Sequence, residues 1–366
     1  MTENKPYRLY NNPLLRAYAA MEEGKVRVSV EGLLSILPGI KSAISLIDGQ
    51  IPARADERLC LSTWLPPIPS IAFDRLAQSQ LKSQIGIRTP DQVTISITEE
   101  CPNRCLHCAL PDSGRKLRLA PETVKDIIGQ ILDLGTTLVI FDGGEPALYR
   151  ELPELVRSVD ERAISTMFTS GAGFTLPLAR RLKEAGLHAV NVSLDSPFSE
   201  EHDTMRGRQG VFGDAMSAVQ AALGAGLLVD LYVVLRRENV RHLSAFHSLA
   251  KEKGAHELTF FEVTSSGRWS EKDSISLTVD DHRNLESFLA SARSGSPRIF
   301  SVPEAYKRFG CFAAKSWMHI TPAGDVYPCA CLPEGCGNIY EEPIKRIWRR
   351  MGRLTYGGSK ACPVRK

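Results

Sequence analysis

The chain has 366 residues, of which 43% are hydrophobic and 24% charged, with 45 Lys and Arg against 42 Asp and Glu. This length exceeds one ordinary core and predicts two or three domains, and the composition excludes a disordered chain. Near-neutral charge gives no reason to expect a nucleic-acid partner, and no uninterrupted apolar run of about 18 residues marks a spanning helix.

Residues 1–30 mix Glu23, Lys25 and Arg27 among short apolar pieces and lack the apolar core of a secretory signal, so a cytoplasmic location is expected. Residues 1–90 are rich in breakers, including Pro66, Pro67 and Pro69, and are expected to form a mostly helical N-terminal extension. Within it, Leu33, Leu37, Ile40, Ile44 and Ile47 recur at helical spacing, interrupted by Pro38, Lys41 and Asp48. A core-facing amphipathic helix is the favoured reading of that stretch, and a peripheral membrane contact is the alternative.

From residue 91 the pattern becomes regular. Strands are predicted at 92–98, 137–141, 165–169, 189–194, 227–235 and 257–263, with helices after them: one carrying Val124, Ile127, Ile128, Ile131 and Leu132 before Gly135, then others near 150–159, 177–185 and 215–226, and one carrying Leu243, Phe246 and Leu249 before Gly254. A helix after residue 279 completes six strand–helix units, the pattern of a parallel sheet. Most of these strands are apolar throughout, as expected when both faces are covered. Periodicity alone leaves an open doubly wound sheet and a partial barrel as alternatives. The unusual residues all follow strand ends: the first cysteines, then Gly143–Pro146, Ser170–Gly171 and Asp195–Ser196. Carboxyl ends of strands carry the chemistry in such folds, so four consecutive ends point to one site.

Nine cysteines are present, three within 101–108 and five in the last 56 residues. Such clustering outside a secretory context favours metal over disulfides, and the isolated Cys60 is expected to be a buried thiol. Cys101, Cys105 and Cys108 stand in CPNRCLHC, where three thiolates in one loop leave one iron of a [4Fe–4S] cube open. A Cys₃His zinc site using His107 is the alternative, hindered by the adjacency of His107 and Cys108. In DGGEP, two glycines would let a ligand approach the backbone, and Glu145 would accept from an ammonium group.

A CxxxCxxC loop after the first strand of a (β/α)₆ pattern resembles the radical S-adenosylmethionine (SAM) superfamily, from about Asp91 to about Gly267. The resemblance implies a partial (β/α)₆ TIM barrel at 91–300 that reductively cleaves SAM to a 5′-deoxyadenosyl radical. It places His107 beside the adenine, and Gly143, Gly144 and Glu145 at the methionine amino group. Ser193 and Asp195 would sit near the ribose or the substrate, Arg206 at the SAM carboxylate, and Ser170 where many relatives have Asn. Residues 301–366 resemble the SPASM or twitch extension, implying one auxiliary iron–sulfur cluster on Cys311, Cys329 and Cys362, with Cys336 favoured over Cys331 as fourth ligand. The chain ends four residues after Cys362, so a further ligand beyond Lys366 is compatible with this spacing.

Relatives of this kind often modify peptides, which makes a peptide the first expected substrate. A membrane lipid or isoprenoid is the second, and a non-catalytic iron–sulfur or zinc scaffold is the alternative of another class. An electron donor such as ferredoxin or flavodoxin is implied for the enzyme readings.

Overall fold

The computed structural model describes residues 6–36, 41, 44–45, 47–83, 85–110, 115–270, 276–292, 295–354, 356, 358 and 362–364. The N-terminal region departs from the helical expectation. Strands β1 (Tyr7–Asn12), β2 (Leu15–Glu22) and β3 (Lys25–Glu31) form an antiparallel meander in the order β1-β2-β3. The cause is a period of two rather than 3.6: Leu15, Ala17 and Ala19 are buried while Arg16 is exposed and Tyr18 is half-buried. Glu23 and Gly24, both at positive φ, make the tight turn between β2 and β3.

The 31–51 stretch begins with a 3₁₀ turn over Leu33–Ile36, in which Leu33 and Ile36 are exposed. Lys41, Ile44, Ser45 and Ile47 are helical, and Ile47 packs on the meander core; Leu37, Pro38 and Ile40 lie outside the described residues. No helix among the described residues is long and apolar enough to cross a membrane.

A short hairpin, β4 (Arg54–Ala55) and β5 (Leu59–Cys60), then leads the chain under the main sheet, and α1 (Ile71–Ser83) carries it to the outside. Residues 62–64 plug the sheet at its N-terminal edge. The unit that follows matches the alternating pattern: β6 (Gln92–Thr98), α2 (Pro121–Asp133), β7 (Leu138–Gly143), α3 (Leu152–Arg157), β8 (Ile164–Thr169), α4 (Leu176–Ala185), β9 (Ala189–Leu194), α5 (Ser199–Arg206), α6 (Val211–Gly224), β10 (Leu228–Leu235), α7 (Leu243–Lys253), β11 (Glu257–Glu262) and α8 (Val279–Ala292). Short connections with helix-ending glycines at Gly186, Gly207 and Gly254 enforce this alternation.

Strand order settles the architecture. β6 to β11 are neighbours in chain order and parallel, with no switch point of the doubly wound kind, so the sheet curls as a partial barrel. Three further strands widen it: β12 (Arg298–Ser301) pairs with β11, β13 (Trp317–Ile320) with β6, and β14 (Val326–Tyr327) with β13. Helix α9 (Val302–Phe309) lies between β12 and β13 in the chain, and α10 (Ile344–Met351) buries Ile344, Ile347, Trp348 and Met351 in the core shared with α2. The C-terminal segment therefore extends the barrel sheet. The strand edges β12 and β14 stay unpaired with each other, leaving the barrel open on one side.

The plug explains two buried acids. Asp230 and Glu257 are paired residues on β10 and β11, a costly juxtaposition of like charges. Ser62 Oγ donates to both Glu257 oxygens at 2.9 and 2.8 Å, Thr63 N and Oγ1 each donate to Oε2 at 2.6 Å, and Arg298 pairs with Oε1. Asp230 takes the other course: burial, then Glu257, raises its carboxyl well above the ordinary range, and Trp64 Nε1 donates to it at 3.2 Å. Cys60 is a buried thiol against Ala189 and Leu228, as the sequence predicts.

Candidate active site

All the chemistry-bearing loops meet at the carboxyl ends of β6–β11. The loop after β6 is held by backbone bonds to α5, Arg104 N to Arg206 O and Leu106 N to Met205 O, both 2.9 Å. From the other side Arg268 N donates to Cys108 O at 3.0 Å and Arg268 Nη1 to Cys105 O at 3.1 Å. Cys101 is exposed, Cys105 buried and Cys108 half-buried, and all three border one cavity of about 1140 Å³. Although the Cys101 residue has exposed surface, partial desolvation of its thiol raises it to about 11, with Glu145 and then the other two cysteines adding to that rise.

Asp195 lies behind this loop, with no exposed surface and outside the cavity lining. It joins two other candidates: His107 Nε2 shares a hydrogen bond with Oδ1 at 2.6 Å, and Arg206 Nε stands 2.6 Å from Oδ2. Arg206 Nη1 in turn donates to Cys105 Sγ at 3.8 Å. Burial alone would raise the Asp195 carboxyl, but Arg206 and then His107 outweigh it and hold the group far below the usual carboxylate range. The Asp195 carbonyl accepts from Asn239 Nδ2 at 2.9 Å and Arg236 Nη1 at 3.2 Å. Asp195 is thus a strut under the cavity wall, while His107, edge-on to Trp269, and Arg206 face the cavity.

The glycine loop after β7 is tied to the same framework. A Cβ on Gly144 would stand 2.3 Å from Glu100 O, and one on Gly143 2.4 Å from Thr98 O. The glycines accordingly admit the backbone leading into the cysteine loop, with Gly144 N bonded to Thr98 O and Glu145 N to Glu100 O. Both border the cavity, but Glu145 is fully buried behind it. Its carboxylate accepts from Ala147 N at 3.2 Å, Thr169 Oγ1 at 2.7 Å, Ser170 N at 2.8 Å and Ser170 Oγ at 2.6 Å, so it laces β7 to β8. Ser170 and Ser193 both line the cavity.

Three participants were not legible as such. Asn103 donates to Ser170 Oγ at 2.8 Å and accepts from Arg208 at 2.7 Å, closing a chain from the cysteine loop to Glu145. Arg208 and Arg268 lie in GRQG and SGRW, where a turn arginine carries no sequence signal for its partner.

The C-terminal cysteines gather at the open side of the barrel. Cys311, Cys329, Cys331 and Cys362 line the same cavity as the first three. Burial, followed by Cys331, Cys311 and Cys362, raises the Cys329 thiol strongly. Cys336, the expected fourth member, stands apart: its backbone N bonds Val326 O, its thiol bonds Glu334 O, and its side chain packs on the main core. The β14 pairing sets that outcome, since it turns Cys336 away and leaves Cys331 on the cavity side.

The donor set fits iron–sulfur clusters. Among the described residues no three His, Cys, Asp or Glu side chains converge on a single ion. A cube takes one thiolate on each iron, so its ligands need not converge on a point.

A partial barrel whose strand ends gather a three-cysteine loop, a glycine loop and a second cysteine group defines an iron–sulfur enzyme of the α/β-barrel kind. The family model for the radical SAM superfamily matches residues 95–250, and that for an iron–sulfur cluster-binding domain, SPASM, matches residues 311–360. The chain belongs to the radical SAM superfamily, and its cofactors are a [4Fe–4S] cluster, SAM and auxiliary iron–sulfur.

It is 25% identical to an AdoMet-dependent heme synthase of Methanosarcina barkeri over 71% of this chain and 82% of that protein. It is also 27% identical to a PqqA peptide cyclase of Xanthomonas campestris pv. campestris, over 71% and 73%. Among solved structures, Streptococcus suis SuiB bound to precursor peptide SuiA shares the fold with a TM-score of 0.62 at 15% identity, over 75% of this chain and 69% of that one.

Proposed function

We propose that this radical SAM enzyme modifies a peptide, with Cys101, Cys105 and Cys108 holding the catalytic cluster and Cys311, Cys329, Cys331 and Cys362 holding one auxiliary cluster. One observation carries the reading: both cysteine groups open into a single cavity, so a substrate seated there meets both. With cluster and SAM bound, the chemistry supplied is reductive cleavage of SAM to a 5′-deoxyadenosyl radical that abstracts hydrogen from substrate. The chain's own residues bind and orient. Arg206 presents a guanidinium to the cavity and to Cys105, held there by Asp195. Gly143, Gly144, Ser170 and Ser193 present backbone and hydroxyl groups along the SAM side. The loop cysteines are fixed by backbone bonds to α5 and by Arg268, so their spacing does not depend on the cluster for its frame.

The likeness to PqqA peptide cyclase supports a peptide, and the open side of the barrel gives a chain a way in. A small electron-transfer protein such as ferredoxin or flavodoxin would supply the electron. A tetrapyrrole is the second reading, supported by the heme synthase likeness. The test is turnover of reconstituted holoenzyme with a deuterated peptide pool or a deuterated tetrapyrrole, reading deuterium in 5′-deoxyadenosine. Label arriving from peptides is expected. Label arriving only from the tetrapyrrole would overturn the peptide reading. Liposome flotation checks the lipid expectation, for which exposed Leu33 and Ile36 are the remaining support.

A further inference from the structure

Burial along the barrel strands is interrupted at regular positions. Phe168 on β8, Ser193 on β9, Tyr232 and Val234 on β10 and Phe261 on β11 are half-buried within runs that are otherwise buried. Each of them borders the cavity, so they are the wall of the barrel interior. Trp64, delivered by the plug, joins them from below. Its ring centroid lies 5.8 Å from those of Phe168 and Tyr232, Phe168 and Tyr232 meet edge-on at 4.9 Å, and Tyr232 stacks on Phe261 at 6.0 Å.

The floor is uncharged. The indole N–H of Trp64 is turned down onto Asp230 and Thr259, leaving the ring toward the cavity. Among the described residues of β7–β11 that border the cavity there is no lysine or arginine, and Asp142 is the one carboxyl. The arginines of the cavity stand beyond the strand ends instead, Arg104 and Arg268 on connecting segments and Arg206 at the end of α5.

We propose that the barrel interior selects an uncharged aromatic side chain of the substrate, seated on Trp64, Phe168, Tyr232 and Phe261 beneath the cysteine loop. This rests on the peptide reading and names the residue class that reading leaves open. Offset and edge-on ring contacts favour an aromatic guest over an aliphatic one of equal area. A charged side chain would lose its hydration against these rings, and Asp142, at the strand-end rim, is the one carboxyl of β7–β11 that could pair with a cation.

The test is equilibrium dialysis of reconstituted holoenzyme in the presence of SAM. The probes are N-acetyl-tryptophanamide, N-acetyl-phenylalaninamide, N-acetyl-leucinamide, N-acetyl-lysinamide and N-acetyl-aspartamide, with 3-methylindole as a ring lacking peptide groups. The aromatic amides are expected to bind at least about tenfold tighter than the charged ones. Trp64→Ala should abolish that preference. Because this variant also removes a bond to Asp230, Phe168→Leu and Phe261→Leu are tested beside it; each keeps the volume apolar and should reduce the preference several-fold. Equal binding of charged and aromatic amides, or a preference untouched by all three substitutions, would overturn the proposal. If 3-methylindole binds as well as N-acetyl-tryptophanamide, the aromatic floor stands and this support for a peptide is lost, so the two failures are separable.

Discussion

At Asp195 one carboxylate holds two charged or polar side chains that come from different elements, His107 on the cysteine loop and Arg206 on α5. Removing its charge leaves a buried guanidinium uncompensated, a loss of about 3–5 kcal/mol for buried pairs. Asp195→Asn should therefore lower the urea midpoint of the apoprotein markedly; an unchanged midpoint would show that the pair carries no net stability. The depressed pKa makes this contribution present above the unfolded carboxylate value of about 3.9, and it is lost only as pH falls through the folded value. Across neutral pH the pair adds no slope.

Asp142 behaves oppositely: burial, with Glu145 adding, raises its carboxyl to about 6. The folded chain then binds more protons than the unfolded one between about pH 4 and 6, so stability falls as pH rises through that window. Asp142→Asn should flatten that decline in urea midpoints measured from pH 4 to 7. An undiminished decline would place its origin elsewhere.

Among elements, the short β13–β14 hairpin does the most for its length. It joins the C-terminal segment to β6 and sets which cysteines face the cavity. Reconstituted protein should hold about eight irons in two cubes. Cys331→Ala should remove up to about four of them, whereas Cys336→Ala should leave the count unchanged; the reverse pattern would restore Cys336 as ligand. The glycine loop makes a second test. Gly144→Ala places a Cβ 2.3 Å from Glu100 O, a backbone atom that cannot swing aside. We expect this variant to lose soluble yield or to melt well below the parent in calorimetry, while alanine at the open Gly213 does not.

For the whole molecule, the N-terminal region is part of the barrel's architecture. Leu59, Leu61, Ile68 and Phe73 share one core with Leu9, Ala17, Ala19 and Val26 of the meander, and the same segment carries Ser62, Thr63 and Trp64 into the barrel floor. Deleting residues 1–31 should therefore speed hydrogen exchange at 59–69 by an order of magnitude or more while β7–β9 keep their protection. Unchanged exchange at 59–69 would show that the plug is held by the barrel acids alone.

The sequence by itself determined the strand–helix alternation from residue 92, because apolar runs, capping glycines and short loops are local signals. It also determined the cysteine loop and the glycine loop, whose spacing encodes cluster chemistry. It determined the family, because these motifs stand in order along one chain. Tertiary structure alone decided the rest. The meander gives only a weak local signal, because its period of two runs over short, partly charged strands in a region rich in Pro and Gly breakers. Periodicity left the partial barrel and the doubly wound sheet open; the family resemblance implied the barrel, and the strand order bears it out. The burial of Asp195 and Glu145 as struts, and the placement of Cys331 rather than Cys336 at the cavity, depend on which way a side chain faces once the sheet has curled. That direction is set by neighbours distant in sequence, and so it becomes visible only when the chain is folded.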